Sequence, residues 1–225
     1  MLAPGQRAIR GFPRFGTHAH HPPPPVPADP TLEIGGAVTE PLTLPLAELQ
    51  RLPRSEVVAD FHCVAGWSAT GLRWKGVPFA AFHREVLAPR AAGTVTHVKF
   101  VGGDGHWSVA LLEDVLGDDV LLAEQLDGRP LDGDHGAPLR LVSPGQYGFI
   151  NTKHLRRIEL LTAEPPTCVG TASAAAHVGL RLFGYRRFVR ARVQEEERHR
   201  FLPPRLVQEI SRLLIPGIRK LSDRR

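Results

Sequence analysis

Cys63 stands in the run Asp60-Phe61-His62-Cys63-Val64-Ala65-Gly66-Trp67-Ser68, with Arg73 and Trp74 a few residues further on. A thiol among His62, Trp67, Arg73 and Trp74 can be a nucleophile, a redox centre, a metal ligand or a small buried hydrophobe, and the local residues leave all four open. A second constellation lies far off in sequence, at His135-Gly136-Ala137-Pro138-Leu139-Arg140 and at Gln146-Tyr147-Gly148-Phe149-Ile150-Asn151-Thr152-Lys153. Histidine, arginine and lysine beside glycines that let backbone N–H groups approach suit a phosphorylated or strongly polar ligand. The same residues also read as surface charges on two loops. A third group, His18-Ala19-His20-His21, precedes Pro22-Pro23-Pro24-Pro25. Imidazoles of this kind suit a transition metal, or are simply solvated.

The elements that must position these residues read as short strands. Glu56 to Phe61 alternates as a strand, so Cys63 falls at its end, before a turn at Gly66-Trp67-Ser68, where sites commonly lie. Thr31 to Val38 reads as a strand and Pro45 to Leu52 as a short helix with proline at each end. Pro78 to Leu87 reads as a helix, Thr94 to Val101 as a strand, and Gly102-Gly103-Asp104-Gly105 as a turn into the strand His106 to Leu111. Leu111 to Leu116 reads as one helical turn and Val120 to Leu126 as a strand. Asp127 to Leu131 is a hairpin-type turn, and Pro138 to Val142 and His154 to Thr162 are further strands. Many short strands without regular strand–helix alternation predict a mixed α+β domain rather than a doubly wound sheet. The glycines at 102–105 lack the spacing of a phosphate-binding loop.

At 225 residues and 42% hydrophobic content the chain suits one sizeable domain with appendages. Three parts are expected: an extended His/Pro-rich arm over 1–30 that lies against the body through Phe12 and Phe15, a body over 31–165, and a basic helical tail over 166–225. The two cysteines, Cys63 and Cys168, imply no disulfide framework, though one bridge between them stays open. The first residues lack the apolar stretch of a secretory signal, and a soluble cytoplasmic protein is expected. The net charge of +5 is uneven. Residues 1–165 carry 15 Lys+Arg against 18 Asp+Glu, and residues 166–225 carry 13 against 5. Nucleic acid is therefore not an expected partner of the body, which lacks the basic face that phosphate binding needs.

With both clusters in view, the chain resembles the molybdopterin-binding domain of the sulfite oxidase family, which includes the catalytic subunit of the bacterial methionine sulfoxide reductase system. The likeness spans roughly residues 12 to 162. Asp60 to Val64 with Trp67-Ser68 and Trp74-Lys75-Gly76-Val77-Pro78 is similar to the family's cysteine loop. His135-Gly136 with Pro138-Leu139-Arg140 is similar to its HGxPLR motif, and Tyr147 to Lys153 to its closing segment. The resemblance implies a strand-rich α+β fold and molybdopterin as cofactor, with the Cys63 thiolate on molybdenum, as a soft ligand suits a redox metal. It implies that His62, His135, Gly136, Arg140, Tyr147 and Lys153 hold the pterin and its phosphate, and that His18 and His20 stand where the family has an arm contact with the pterin. His106 is the candidate for proton transfer, and Arg73 the candidate catalytic arginine.

Sulfite oxidases resembling this domain carry arginines just after the ligand cysteine, where this chain has Val64-Ala65-Gly66. Sulfite is therefore not the expected substrate, because an oxyanion needs a cationic pocket. Ile150 also replaces a lysine common in the last motif. The expected function is two-electron oxygen-atom transfer on a small substrate, with an electron-transfer partner still to be found. The rival readings are a non-catalytic binding protein on the same fold and a zinc site built from Cys63 and histidines. Beyond the likeness, Val178 to Arg192 and Leu206 to Leu221 read as two helices, the second kinked at Pro216-Gly217. Their basic character suits packing on the body or a sister subunit, or contact with an anionic membrane surface or acidic partner through 178–225.

Overall fold

Short runs of β-branched and aromatic residues, stopped by glycine and proline, leave little length for helices, and strands dominate. The structure is a computed structural model that describes residues 2–14, 22–170 and 190–197, together with Leu206, Glu209 and Leu213. His18, His20, Phe15, most of Val178 to Arg192 and the Pro216-Gly217 kink lie outside the described residues.

The first sheet contains β1 (Arg7–Ile9), β4 (Ser55–His62), β5 (Trp67–Pro78), β8 (Leu121–Leu126), β9 (Arg129–Pro130) and β10 (Arg140–Val142). Its path runs β1-β5-β8-β10, with β4 paired along β5 and β9 along β8. The second sheet runs in the order β12 (Val169–Gly170), β7 (Trp107–Leu111), β6 (His97–Gly102), β11 (Leu155–Leu161), β2 (Thr31–Gly36), β3 (Leu42–Pro45). The Pro45–Leu52 stretch forms a 3-10 helix over Leu46–Arg51. After Pro78 the chain turns through α1 (Phe79–Phe82), a π-helical turn (His83–Leu87) and a 3-10 turn (Ala88–Arg90), and α2 (Leu112–Val115) follows β7. The mixed α+β architecture expected from the sequence is what forms.

The period of two along β8 decides how the core divides. Leu122 belongs to the main core with Leu32, Ile34, Phe79, Phe82, Phe100 and Ile158. Its neighbours Leu121 and Ala123 belong to a second apolar cluster with Cys63, Trp67, Leu72, Trp74 and Val142. Successive side chains on a strand point to opposite faces. The first sheet thus buries one face against the main core and carries the Cys63 cluster on the other.

Three sequence expectations change. Trp67 and Ser68, read as part of a turn, open the twelve-residue β5, and the turn proper is Cys63 to Gly66, with Gly66 at φ 89°. The alternation Leu72 in, Arg73 out, Trp74 in, Lys75 out marks this strand, and the glycines at 71 and 76 obscured it. The first thirty residues are not wholly polyproline-like, because Arg7–Ile9 pairs in parallel with Trp67–Ala69. Arg190 to Arg192 are not helical. They begin a strap over 190–197 whose Ala191 and Val193 are buried in the main core.

Candidate functional site

Cys63 leaves the end of β4 in a tight turn. Its N–H donates to the Trp67 carbonyl at 2.8 Å, and its own carbonyl accepts from the Gly66 N–H at 2.9 Å. The residue is 8% exposed, on the sheet face that carries Trp67 and Trp74. His62 turns its Nδ1 to Ser68 Oγ at 2.8 Å, and its carbonyl accepts from the Gly148 N–H at 2.7 Å. That last bond ties the cysteine segment to the Tyr147–Lys153 segment. Gly148 is required there, since a Cβ would lie 2.2 Å from the Phe61 ring.

Arg140 opens β10 on the same face, in register with Ala123. It is fully buried, and its guanidinium donates to the carbonyls of His135 (3.0 Å), Leu141 (3.3 Å) and Asn151 (3.4 Å). Its carbon lies 4.9 Å from the Trp74 ring centroid and 5.8 Å from those of Phe12 and Phe61. Burial pushes it down to about 9, which still leaves it charged at neutral pH. Lys153 Nζ donates to the Asp134 carbonyl at 2.6 Å. Burial, then Arg140 and Arg14, push Lys153 down to about 7. Among the described residues the Arg140 guanidinium pairs with no carboxylate, whereas the half-buried Lys153 feels the opposing charges of Asp104 and Asp134. A buried guanidinium charge is costly without an anion.

His135 faces an acceptor at each ring nitrogen, the Asp132 carboxylate at 2.7 Å and the Phe12 carbonyl at 2.9 Å. Gly136 sits at φ 104°, where a Cβ would lie 3.0 Å from that of Lys153, so only glycine brings the two segments this close. Tyr147 is fully buried, and its N–H donates to the Ala191 carbonyl of the strap at 2.9 Å. The proline run also touches this region, since a Cβ at Gly133 would lie 2.7 Å from Pro23 Cγ.

Of the two expected catalytic residues, one points away from the Cys63 cluster and the other lies against the Tyr147–Lys153 segment. Arg73 points away from the Cys63 cluster, as its neighbours Leu72 and Trp74 point toward it, and it pairs with Glu56 at 2.8 Å. His106, the expected proton-transfer group, donates from Nε2 to the Phe149 carbonyl at 2.8 Å. Burial lowers its pKa against the opposing pull of Asp104 and of this hydrogen bond, which leaves a neutral ring that braces the closing segment. His62, Cys63, His135, Gly136, Arg140, Tyr147 and Lys153 are brought into one region by the contacts above.

Other residues were not singled out from the sequence. Asn151 accepts from the Ser143 N–H at 2.7 Å and donates to the carbonyls of Ser143, Gln146 and Tyr147, which shapes the loop after β10. Arg14 is buried and pairs with Asp134 at 3.3 Å. Gln6 reaches both Ser68 and the Cys63 carbonyl. Nothing in their spacing marks these positions, because each acts across a fold contact. Among the described residues no group of three His, Cys, Asp or Glu side chains could hold a metal ion. Neither cysteine forms a disulfide.

A family model described as the oxidoreductase molybdopterin binding domain matches residues 20–169. The chain belongs to this family. Molybdopterin is therefore its cofactor, and the sulfite oxidase-type fold expected from the sequence is borne out. Among relatives of this molybdopterin-domain protein, the uncharacterized oxidoreductase YuiH of Bacillus subtilis (strain 168) is 33% identical over 136 residues, 60% of this chain and 67% of the relative. The protein-methionine-sulfoxide reductase catalytic subunit MsrP of Gluconobacter oxydans (strain 621H) is 34% identical over 155 residues, 61% of this chain and 48% of the relative. The crystal structure of the sulfane dehydrogenase SoxCD from Paracoccus pantotrophus superposes with a TM-score of 0.51 at 26% identity, over 60% of this chain and 38% of that one. The chain thus spans two thirds of the first relative and under half of the other two. The matched region contains Cys63 and both polar segments, but not β1, Gln6, Phe12, Arg14 or the strap.

Proposed function

We propose that the chain catalyses two-electron oxygen-atom transfer on a small neutral substrate of the sulfoxide class, with Cys63 as the protein ligand to molybdenum. The observation that carries this reading is the fully buried Arg140, held on the Cys63 face of the first sheet with no carboxylate partner among the described residues. The donor set fits the cofactor, since a soft thiolate suits the metal, and the buried Arg140 with the half-buried Lys153 suits a phosphate. Arg140, Lys153, His135 and the backbone around Gly136 would hold the pterin phosphate, and His62 and Tyr147 would line the pterin. His18 and His20 are assigned to the same cofactor from the arm.

When bound, molybdenum supplies the oxygen-atom transfer, which on a sulfoxide consumes two electrons and two protons and releases a thioether and water. The protein's part is positional. The Cys63–Gly66 turn sets the thiolate, the aromatic group of Phe12, Phe61 and Trp74 keeps water from Arg140, and the cations neutralise the phosphate. Val64-Ala65-Gly66 beside the thiolate offers no cation for an oxyanion, which favours a neutral substrate, and the likeness to the MsrP relative supports the sulfoxide class. Electrons come from a separate redox partner, for which a reduced viologen dye can stand in.

The test is elemental analysis and pterin fluorescence of the full chain made in cofactor-competent cells, followed by dye-coupled reduction of a sulfoxide. Near-stoichiometric molybdenum that is lost in Cys63→Ser, with turnover of sulfoxide and none of sulfite, is expected. Protein free of both metal and pterin, or loaded protein that turns over sulfite instead, would overturn the proposal.

A further inference from the structure

One amide joins the N-terminal strand to the cysteine turn. Gln6 Nε2 donates to the Cys63 carbonyl at 3.3 Å, and Gln6 Oε1 accepts from Ser68 Oγ at 3.0 Å. The first contact sets the orientation of the amide, because a carbonyl can only accept. Its oxygen is then the end that faces Ser68, and Ser68 commits its single hydroxyl proton there. Ser68 Oγ, 2.8 Å from His62 Nδ1, is left as the acceptor of that contact, so Nδ1 of His62 carries a proton. Ser68 is fully buried and His62 nearly so, which removes water as an alternative partner for the relay.

The backbone reinforces the same link. Arg7 N–H donates to the Gly66 carbonyl at 3.0 Å, and β1 runs in register with Trp67, Ser68 and Ala69. Both ends of the Cys63–Gly66 turn are thereby tied to residues 6–9, which lie outside the stretch matched by the family model.

We propose that Gln6 is a positioning residue for the cofactor site: it anchors the Cys63 carbonyl and, through Ser68, holds His62 in its Nδ1–H form. This rests on the reading of Cys63 as the metal ligand. Gln6 touches neither the cofactor nor the reacting atoms, and it acts through the turn and through the imidazole beside it. A segment outside the matched stretch thus completes the setting of the metal ligand.

Three variants of the full chain separate the two roles. Gln6→Leu removes both contacts, Gln6→Glu keeps an acceptor for Ser68 but no donor for Cys63, and Ser68→Ala cuts the relay alone. Two measurements on cofactor-free full-length protein at one fixed pH read them out. One is the rate of Cys63 alkylation by iodoacetamide, with the fully buried Cys168 as internal reference. The other is the ring nitrogen NMR signature of His62. Loss of one part-buried hydrogen bond lets the turn open roughly fivefold more often, so alkylation in Gln6→Leu and Gln6→Glu should quicken by about that factor. The Nδ1–H signature should persist in Gln6→Glu and be lost in Gln6→Leu and Ser68→Ala.

Wild-type alkylation rates in both Gln6 variants, or an unchanged His62 signature in Ser68→Ala, would overturn the proposal even if one variant folds poorly. Molybdenum analysis of Cys63→Ser is read separately. Metal retained there would overturn the ligand reading, and with it any positioning role for Gln6, whatever the alkylation rates.

Discussion

Arg140 and Trp74 meet across the first sheet, guanidinium carbon to ring centroid 4.9 Å, although β8 runs between their strands. Ala123, in register with Arg140 on that middle strand, is small enough to let them touch. A buried cation therefore sits over the ring of Trp74, a member of the Cys63 cluster.

Arg140→Lys keeps the charge but loses the planar fork that serves three carbonyls and stacks on Trp74. Buried carbonyls left unpaired should cost about 1–3 kcal/mol. Urea denaturation should show that loss, and pterin fluorescence of the purified variant should fall. Wild-type values of both would contradict an anion-holding role for the fork.

The stability of cofactor-free protein should depend on pH through Lys153. Its folded value is pushed down to about 7 by burial first and then by Arg140 and Arg14, from an unfolded value of about 10.4. Between those values the unfolded chain binds the extra proton, so stability rises with pH across this window, and the full penalty applies below its lower edge. Lys153→Met should flatten that rise in a series of thermal melts. A bound phosphate favours the charged lysine, so loaded protein should lack the rise as well.

Gly148→Ala forces a Cβ to 2.2 Å from the Phe61 ring, which is itself packed on Phe12 and Trp67. Overpacking of this kind costs about 1–3 kcal/mol. Adding Phe61→Leu should recover much of the stability, while cofactor content stays low because Arg140 has lost part of its aromatic cover. A double-mutant cycle with no coupling would show that the clash is relieved elsewhere.

Truncation of the tail should have two distinct thresholds. Removing 198–225 leaves the strap in place, with Ala191 and Val193 buried and Arg192 paired to Glu113 and Asp114 at 2.9 and 2.7 Å. Removing 190–225 empties those core positions and releases Gly145 and Tyr147, so the thermal midpoint should drop by several degrees. The shorter truncation tests liposome binding by residues 198–225 with the strap still present, and lower liposome binding is expected for it.

Much of the fold is legible in the residues alone. The Asp127-Gly128 turn between β8 and β9 follows from residues that tolerate positive φ, and both adopt it. The alternation before Cys63 marked β4, and Pro45 and Pro78 marked the helix starts. The misreading of Trp67-Ser68 as a turn shows the limit. Glycines at 71 and 76 obscured the strand pattern of β5, and only pairing with β1, β4 and β8 makes it the longest strand described.

The sequence by itself determined the chemical inventory: one thiol at a strand end, a cationic segment at 135–140 with Gly136, and a second at 146–153 with Gly148 and Lys153, which are local properties of residue type and spacing. Tertiary structure alone decided which of these act together. The pleat turned Arg73 outward and Trp74 inward, and the two faces of β8 separated the main core from the Cys63 cluster. Long-range contacts brought Gln6, Arg14 and Asn151 to the site. Hydrogen bonds and charge interactions act over a few ångströms, and chain separation gives no measure of that distance until the sheets have formed.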